Sequence, residues 1–198
     1  MGWDSSFSQR LEARDLTIGV IGLGYVGLPT ALGFLDAGFR VRGVDVTSRV
    51  IDALLAGENP GDDPQHDDLI PPSQSDSWRI STDSSELVPD CDVILVTVPT
   101  PVTDSRLPDL TYVSSAGSAV FSSIAKGSGT IVVLESTVYP GVTREVWAPL
   151  LQEAGLEEGV DVHLAYCPER FVPGDPEHGV RQVPRVVGSS DEIIGSNL

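Results

Sequence analysis

Short apolar runs alternate along the chain with segments whose apolar residues recur at helical spacing. The runs are rich in β-branched residues and have the length of buried strands. They cover Leu16–Gly22, Arg40–Asp45, Cys91–Val98, Thr130–Ser136, Asp161–Cys167 and, as a short last strand, Arg185–Gly188. The segments with helical spacing cover Tyr25–Ala37, Thr47–Ala56, Asp109–Ala125 and Val142–Ala154.

This alternation predicts an α/β fold, a doubly wound parallel sheet with helices on both faces. No internal repeat, low-complexity tract or linker indicates a second domain within the 198 residues. We therefore expect a polar N-terminal tail over residues 1–15 and a single α/β domain over residues 16–198.

The stretch Gly57–Asp92 departs from the pattern, with ten acidic residues against one arginine and several prolines. Such a composition favours a solvated excursion from the sheet. We expect it to carry a short helix and a short strand near Trp78–Thr82.

The chain has 29 acidic and 12 basic residues, which gives a net charge of −17. This charge repels phosphate backbones and anionic lipids, so we expect no nucleic-acid partner and no membrane partner. Lys126 is the only lysine. Acid excess with so little lysine favours a halophile-like surface suited to a high-salt cytoplasm, and a generic acidic protein is the alternative.

No apolar run approaches the roughly 20 residues that a membrane-spanning helix requires. Residues 1–15 also lack the apolar segment of a secretory signal, so a cytoplasmic location is expected. The two cysteines, Cys91 and Cys167, have neither disulfide-framework nor metal-ligand spacing, and we predict no metal site.

A G-x-G-x-x-G motif lies between the first predicted strand and the first predicted helix. Gly22 would allow the tight turn, Gly24 the approach of a pyrophosphate, and Gly27 the close packing of helix and sheet. Backbone N–H groups at the helix start would then face the phosphates. In this context the motif predicts a Rossmann-type dinucleotide-binding fold.

Asp45 ends the second predicted strand, 18 residues after Gly27. A carboxylate there can accept hydrogen bonds from ribose hydroxyls and would repel a 2′-phosphate, which predicts NAD rather than NADP. Arg49, four residues further on, is a second candidate contact to the cofactor and would weaken that preference by offering a cation to a phosphate.

Five strings along the chain agree in order with one family: GLGYVGLP at Gly22–Pro29, GVD at Gly43–Asp45, VPTP at Val98–Pro101, ESTVYPG at Glu135–Gly141 and AYCPERFVPG at Ala165–Gly174. They resemble the UDP-glucose/GDP-mannose dehydrogenase family, the nucleotide-sugar 6-dehydrogenases that oxidise a C6 alcohol to a carboxylate with two NAD. PER followed by PG is most similar to the enzymes for UDP-N-acetylmannosamine and UDP-N-acetylglucosamine. UDP-glucose enzymes tend to carry a second glutamate where this chain has Pro173.

The resemblance implies roles for further residues near the cofactor. It places Tyr25 and Val26 beside the pyrophosphate, and Thr100 and Thr137 at strand ends near the nicotinamide. Such positions agree with the rule that open α/β sheets bind ligands beyond the carboxyl ends of their strands.

The resemblance also implies that three residues face the sugar nucleotide: Glu169, Arg170 and Phe171. Glu169 is the candidate catalytic residue, ordering a water or aiding proton transfer, and an ion pair with an arginine is its alternative. Arg170 carries donors suited to a diphosphate, with a surface salt bridge as its alternative. Glu135 is expected to hold a structural hydrogen bond.

The family's nucleophile is a cysteine that forms a thioester, assisted by a lysine and an asparagine. The resemblance places all three beyond Leu198, and we expect neither Cys91 nor Cys167 to replace that nucleophile. The chain is therefore expected to be the NAD-binding domain alone, inactive by itself, of an enzyme that binds a UDP-sugar and forms a homo-oligomer. The alternatives are a stand-alone NAD-binding or sensing module, a UDP-glucose 6-dehydrogenase and a β-hydroxyacid-type dehydrogenase.

Overall fold

The computed structural model describes residues 5–61, 64–170, 183–189, 191 and 194. Its strands are β1 (Thr17–Ile21), β2 (Arg40–Val44), β3 (Trp78–Ser81), β4 (Val93–Val96), β5 (Thr130–Leu134), β6 (Val162–Tyr166) and β7 (Gly188–Ser189). Its helices are α1 (Ser5–Glu12), α2 (Gly27–Asp36), α3 (Ser48–Leu55), α4 (Ser84–Leu87), α5 (Thr111–Ser123) and α6 (Ala148–Glu153). Two 3₁₀ turns, Pro64–Leu69 and Val88–Asp90, and a π-helical turn, Thr143–Trp147, complete the regular structure.

The strands form one sheet in the order β3-β2-β1-β4-β5-β6-β7. All neighbouring pairs are parallel except β6 and β7. The predicted doubly wound α/β fold is confirmed. Chain direction across the sheet reverses between β1 and β4, and at such a switch point the loops part to leave a crevice at the carboxyl ends of the strands.

Two layers of apolar side chains cover the faces of the sheet. On one face the core includes Leu16, Val20, Leu32 and Val133; on the other, Trp147 is fully buried and meets Phe121 edge-on. These layers stabilise the sheet, and the sheet positions the loops that border the crevice at its carboxyl edge. Among the described residues, no helix is both long and apolar enough to span a bilayer.

The last strand differs from the predicted one. We expected Arg185–Gly188, whereas β7 comprises Gly188–Ser189 and runs antiparallel to β6. Arg185 is instead turned toward two glutamates at the carboxyl edge of the sheet. Arg185 thus pairs with a residue 50 positions away in the sequence and lies outside the strand, which begins three residues later.

Residues 5–12, within the expected polar tail, form helix α1. Phe7 is buried in the core, and Arg10 binds the carboxylate of Asp92 at 2.8 Å and the carbonyl oxygen of Asp15. The guanidinium of Arg14 lies 4.9 Å from the ring centre of Phe39. The helix escaped prediction because eight residues are too few to form a stable helix alone, and tertiary contacts supply the stability.

Candidate functional site

The turn after β1 is shaped by its three glycines. Gly22 has a φ of +93°, which favours glycine. A Cβ on Gly27 would lie 1.8 Å from the carbonyl oxygen of Gly22, so the start of α2 packs directly on the turn. A Cβ on Gly24 would meet nothing within 4 Å, which leaves that residue facing open space. The turn is thus closed toward the sheet and open toward the crevice.

Helix α2 begins at this turn without a capping side chain. Val26 occupies the N-cap position and makes no side-chain cap hydrogen bond. The backbone N–H groups of a first helical turn lack intrahelical partners and carry the positive end of the helix dipole. Beside them, Tyr25 is 73% exposed. This arrangement is suited to a diphosphate.

Asp45 lies directly after β2 and is joined to the same turn. Its Oδ2 accepts a hydrogen bond from the backbone N–H of Leu23 at 2.8 Å. Its Oδ1 accepts one from the backbone N–H of Thr47, also at 2.8 Å. A carboxylate has about four lone-pair sites, so both oxygens can accept further bonds from a ribose diol. Arg49 is exposed on the first turn of α3, at the same edge of the sheet.

Thr97 and Ser136 lie under the crevice, and we did not predict either of them. Thr97 follows β4, and its hydroxyl donates to the carbonyl oxygen of Gly22 at 2.7 Å. Ser136 follows β5, and its hydroxyl donates to the carbonyl oxygen of Val98 at 2.7 Å. Both side chains are buried. A hydroxyl residue placed directly after an apolar strand is the sequence signal that marks such a support.

Thr100 and Thr137 lie on the loops after the neighbouring strands β4 and β5. Thr100 is half-buried and Thr137 is exposed. The fold therefore brings both residues to the carboxyl edge of the sheet that carries the glycine turn. Their contact with nicotinamide stays a prediction.

An ionic cluster of three side chains occupies the same edge, two strands from the glycine turn. Arg185 Nη1 lies 3.0 Å from Glu135 Oε1 and 2.5 Å from Glu169 Oε2. The Glu135 and Glu169 side chains are 5% and 8% exposed. Glu169 thus makes the arginine ion pair that was its alternative reading, and the pairing leaves its catalytic role open. Arg185 was not among the predicted site residues, because its partners lie far away in sequence.

Burial raises the pKa of Glu135 to about 7, an effect that nearby Arg185 opposes and nearby Glu169 reinforces. Burial also raises the pKa of the neighbouring Cys167 thiol, with a further contribution from the charge of Glu135. Cys167 is therefore a neutral thiol inside the cluster at neutral pH.

The raised pKa of Glu135 predicts a pH-dependent stability. The folded state binds the proton more tightly than the unfolded chain, whose glutamate carboxyl has its ordinary pKa of 4.5. This contribution to stability is full below that value and is lost as pH rises through about 7. Relative to Glu135→Gln, the wild-type free energy of unfolding should fall by about 2 to 3 kcal/mol over this window. Urea denaturation at a series of pH values measures it, and parallel curves for the two proteins would contradict it.

The predicted substrate residues are only partly described. The backbone N–H of Arg170 donates to Glu169 Oε1 at 2.7 Å, and its exposed guanidinium donates to the carbonyl oxygen of Pro184. The surface salt bridge that was the alternative for Arg170 is not among the ion pairs of the described residues. Phe171 lies outside the described residues.

Cys91 is a buried residue remote from the crevice loops. It lies just before β4, its thiol donates to the carbonyl oxygen of Leu87 at 3.3 Å, and burial raises its pKa to about 12. A neutral, enclosed thiol is a poor nucleophile. The expectation that Cys91 is a small buried residue is confirmed.

The crevice presents groups suited to a dinucleotide. Open space beside Gly24 and the uncapped N–H groups at the start of α2 fit a diphosphate, and the Asp45 carboxylate, bonded to the same turn, presents acceptors to a ribose. Within the part of the chain that is described, no group of three or more side chains could hold a metal ion.

Comparison with known proteins gives the same picture. Residues 16–197 match the model described as UDP-glucose/GDP-mannose dehydrogenase family, NAD binding domain. The chain is 37% identical over 182 residues to the UDP-N-acetyl-D-glucosamine 6-dehydrogenase of Pseudomonas aeruginosa, covering 91% of this chain and 42% of that protein. It is 36% identical over 190 residues to the UDP-N-acetyl-D-mannosamine dehydrogenase of Escherichia coli (strain K12), covering 91% and 43%.

Solved structures agree with the sequence matches. A ternary complex of GDP-mannose dehydrogenase from Pseudomonas aeruginosa superposes with a TM-score of 0.82 at 30% identity, covering 90% of this chain and 42% of that one. The NDP-N-acetyl-D-galactosaminuronic acid dehydrogenase of Methanosarcina mazei Go1 gives a TM-score of 0.82 at 30% identity, covering 98% and 43%. The chain thus spans less than half the length of these relatives.

Proposed function

The chain belongs to the UDP-glucose/GDP-mannose dehydrogenase family and its cofactor is NAD; from that premise we propose that it is the NAD-binding domain of a UDP-N-acetylhexosamine 6-dehydrogenase. The substrate we propose is UDP-N-acetylmannosamine, oxidised at C6 to the carboxylate with two NAD, to supply uronic acids for polysaccharides. In the full-length enzyme we expect a homo-oligomer. The domain proposed for this role is residues 16–198, with α1 packed against it.

The observation that carries the proposal is the pairing of the glycine turn with Asp45. The turn offers N–H groups to a diphosphate, and the Leu23 N–H holds the Asp45 carboxylate 2.8 Å from the same turn. Diphosphate and adenosine ribose are adjacent in NAD, so one ligand satisfies both groups. Gly22, Gly24, Gly27, Tyr25 and Val26 would contact the diphosphate, and Arg49 would lie at the ribose end.

The choice of an N-acetylated sugar is supported by two observations. Relatives at 36–37% identity are named for UDP-N-acetylglucosamine and UDP-N-acetylmannosamine. Pro173 also stands where UDP-glucose enzymes tend to have a second glutamate. Other similar proteins are named for GDP-mannose and UDP-glucose, so a UDP-glucose 6-dehydrogenase is the alternative within the family.

Residues of this chain would bind the cofactor, contact the substrate and handle a proton. NAD, when bound, accepts hydride from the substrate carbon. Thr100 and Thr137 would hold the nicotinamide end, and Arg170 and Phe171 would contact the sugar nucleotide. Glu169 would accept the proton of the reacting hydroxyl or order the hydrolytic water. It is suited to this role because it is a carboxylate that follows β6, next to Arg170 in the sequence.

A second candidate function is a stand-alone NAD-binding or sensing module. It is favoured by the burial of both cysteines, whose raised pKa values leave no thiolate nucleophile among the described residues. Both readings predict that the 198-residue chain binds NAD and forms no NADH with UDP-N-acetylmannosamine. Absorbance at the NADH band measures this, and turnover by the purified chain would contradict both. Reading the encoding locus separates them, since only the first requires an in-frame continuation with a cysteine nucleophile.

Asp45→Ala tests the cofactor assignment directly. Losing charge-assisted hydrogen bonds to the ribose should weaken NAD binding by about 1–3 kcal/mol. The wild type should prefer NAD over NADP because the carboxylate repels a 2′-phosphate, and the variant should lose that preference. Isothermal titration calorimetry with both dinucleotides measures it.

The matched control for this experiment is Asp52→Ala, an exposed aspartate in the middle of α3. It removes one negative charge without touching the glycine turn. Equal NAD affinity for the wild type and Asp45→Ala would reject the ribose assignment, whereas a similar loss in Asp52→Ala would show that net charge alone matters.

A further inference from the structure

We propose that Glu135 is a positioning residue for Glu169 and acts through Arg185, whose Nη1 contacts both carboxylates. The inference rests on the proposed function only for the role given to Glu169. The three residues of the ionic cluster lie next to three strands: Glu135 directly follows β5, Glu169 follows β6, and Arg185 precedes β7. The strands β5, β6 and β7 are neighbours in the sheet.

Glu135 and Glu169 compete for the positive charge of Arg185. One cation faces two buried carboxylates, so the cluster carries a net negative charge when both are ionised. Arg185 Nη1 is 3.0 Å from Glu135 Oε1 and 2.5 Å from Glu169 Oε2. At such distances in a poorly solvated place, each charge strongly affects the other two. A proton on Glu135 would leave the full attraction of Arg185 to Glu169.

The two oxygens of Glu169 are held in different ways. Oε1 accepts a hydrogen bond from the backbone N–H of Arg170 at 2.7 Å, a contact fixed by the chain itself. Oε2 faces Arg185. Arg185 therefore connects Glu169 Oε2 to Glu135, because the same Nη1 also contacts Glu135 Oε1.

The surroundings of Glu135 allow its charge to vary near neutral pH. Its Oε2 is buried and makes no hydrogen bond. Glu135 is among the residues that line a largely apolar cavity of about 480 Å³, as are Cys167 and Val187. Burial in this setting favours the protonated form and raises the pKa of Glu135 to about 7.

Few other charges face Glu135. Among the described residues that line this cavity, those from α1, α2, β1 and β4 are apolar or, like Thr30, uncharged. Cys167, directly after β6, stays a neutral thiol because burial raises its pKa. Arg185 and Glu169 are thus the charges that set the proton affinity of Glu135, with opposite signs.

The test is a carboxyl titration by NMR on the 198-residue chain labelled with ¹³C at the glutamate side-chain carboxyl. Glu135→Gln assigns the Glu135 signal, which should titrate with a midpoint near 7. Glu169→Gln removes a negative neighbour and should lower that midpoint by about one pH unit, and Arg185→Met removes the cation and should raise it by about one. Arg185→Lys keeps the cation and should restore most of the wild-type midpoint.

Two further readings make the test specific. In the wild type the Glu169 carboxyl signal should move in step with the titration of Glu135, and this step should vanish in Glu135→Gln. The control is Glu153→Gln, an exposed position at the end of α6, which should change neither signal. A glutamate whose charge does not reach Glu169 through Arg185 would leave the Glu169 signal unmoved.

The proposal is overturned if the Glu135 midpoint is the same in Glu169→Gln as in the wild type, or if the Glu169 signal ignores the charge of Glu135. Should Arg185→Met fail to fold, Glu169→Gln, which keeps the shape of the side chain, decides alone. NAD titration of the wild type is a separate readout. Absence of NAD binding refutes the proposed function, whereas uncoupled titrations in a chain that binds NAD refute only this inference.

Discussion

Gly27→Ala is expected to cost about 4 kcal/mol of unfolding free energy and to abolish NAD binding. The added Cβ would lie 1.8 Å from the carbonyl oxygen of Gly22 and 2.5 Å from Thr97 Oγ1. The Gly22 oxygen belongs to the main chain and cannot rotate away, so α2 must separate from the turn. Urea denaturation followed by circular dichroism measures the loss.

The control for this substitution lies on the same helix. A Cβ on Gly33 would meet nothing within 4 Å, and alanine is the better helix former. Gly33→Ala should therefore gain up to about 1 kcal/mol and bind NAD as the wild type does. Equal stability of Gly27→Ala and the wild type would refute the close packing of α2 on the turn.

Gly24→Ala is expected to leave the fold intact and to remove NAD binding. A Cβ there meets nothing within 4 Å, so the free protein tolerates it. The methyl group would fill the space through which a diphosphate reaches the backbone N–H groups. Losing about two charge-assisted hydrogen bonds costs about 4 kcal/mol, a factor of about 1,000 in affinity. Calorimetry with NAD measures it.

Comparing the two glycine variants separates stability from binding. Gly27→Ala should lose both, and Gly24→Ala should lose binding alone. A Gly24→Ala protein that melts like the wild type and still binds NAD with wild-type affinity would show that the diphosphate does not pass Gly24.

The sheet and its first crevice could be predicted because their signals are local. The central strands β1, β4 and β5 are short, mostly apolar runs, and the G-x-G-x-x-G turn and Asp45 lie within 24 residues of one another. Because strands alternate with helices, the sheet is parallel and the carboxyl ends of its strands meet at one edge. NAD as cofactor followed from that short stretch, and the family match over residues 16–197 agrees.

The parts that escaped prediction depend on contacts between distant residues. Arg185 meets Glu135 across 50 residues, and nothing in the string RVVG distinguishes that arginine from a strand residue. Helix α1 is stable only because Phe7 is buried and Arg10 binds Asp92. Thr97 supports the glycine turn from just after β4, a strand that begins 72 residues after the end of β1.

A crystal structure of the 198-residue chain grown with NAD tests the central claim most directly. We expect the diphosphate to lie against the backbone N–H groups of residues 24–27, with the adenosine ribose hydroxyls bound to the Asp45 carboxylate. A dinucleotide found elsewhere, for instance in the apolar cavity beside Phe7 and Phe34, would contradict this expectation. So would a glycine turn whose N–H groups are covered by side chains of the protein.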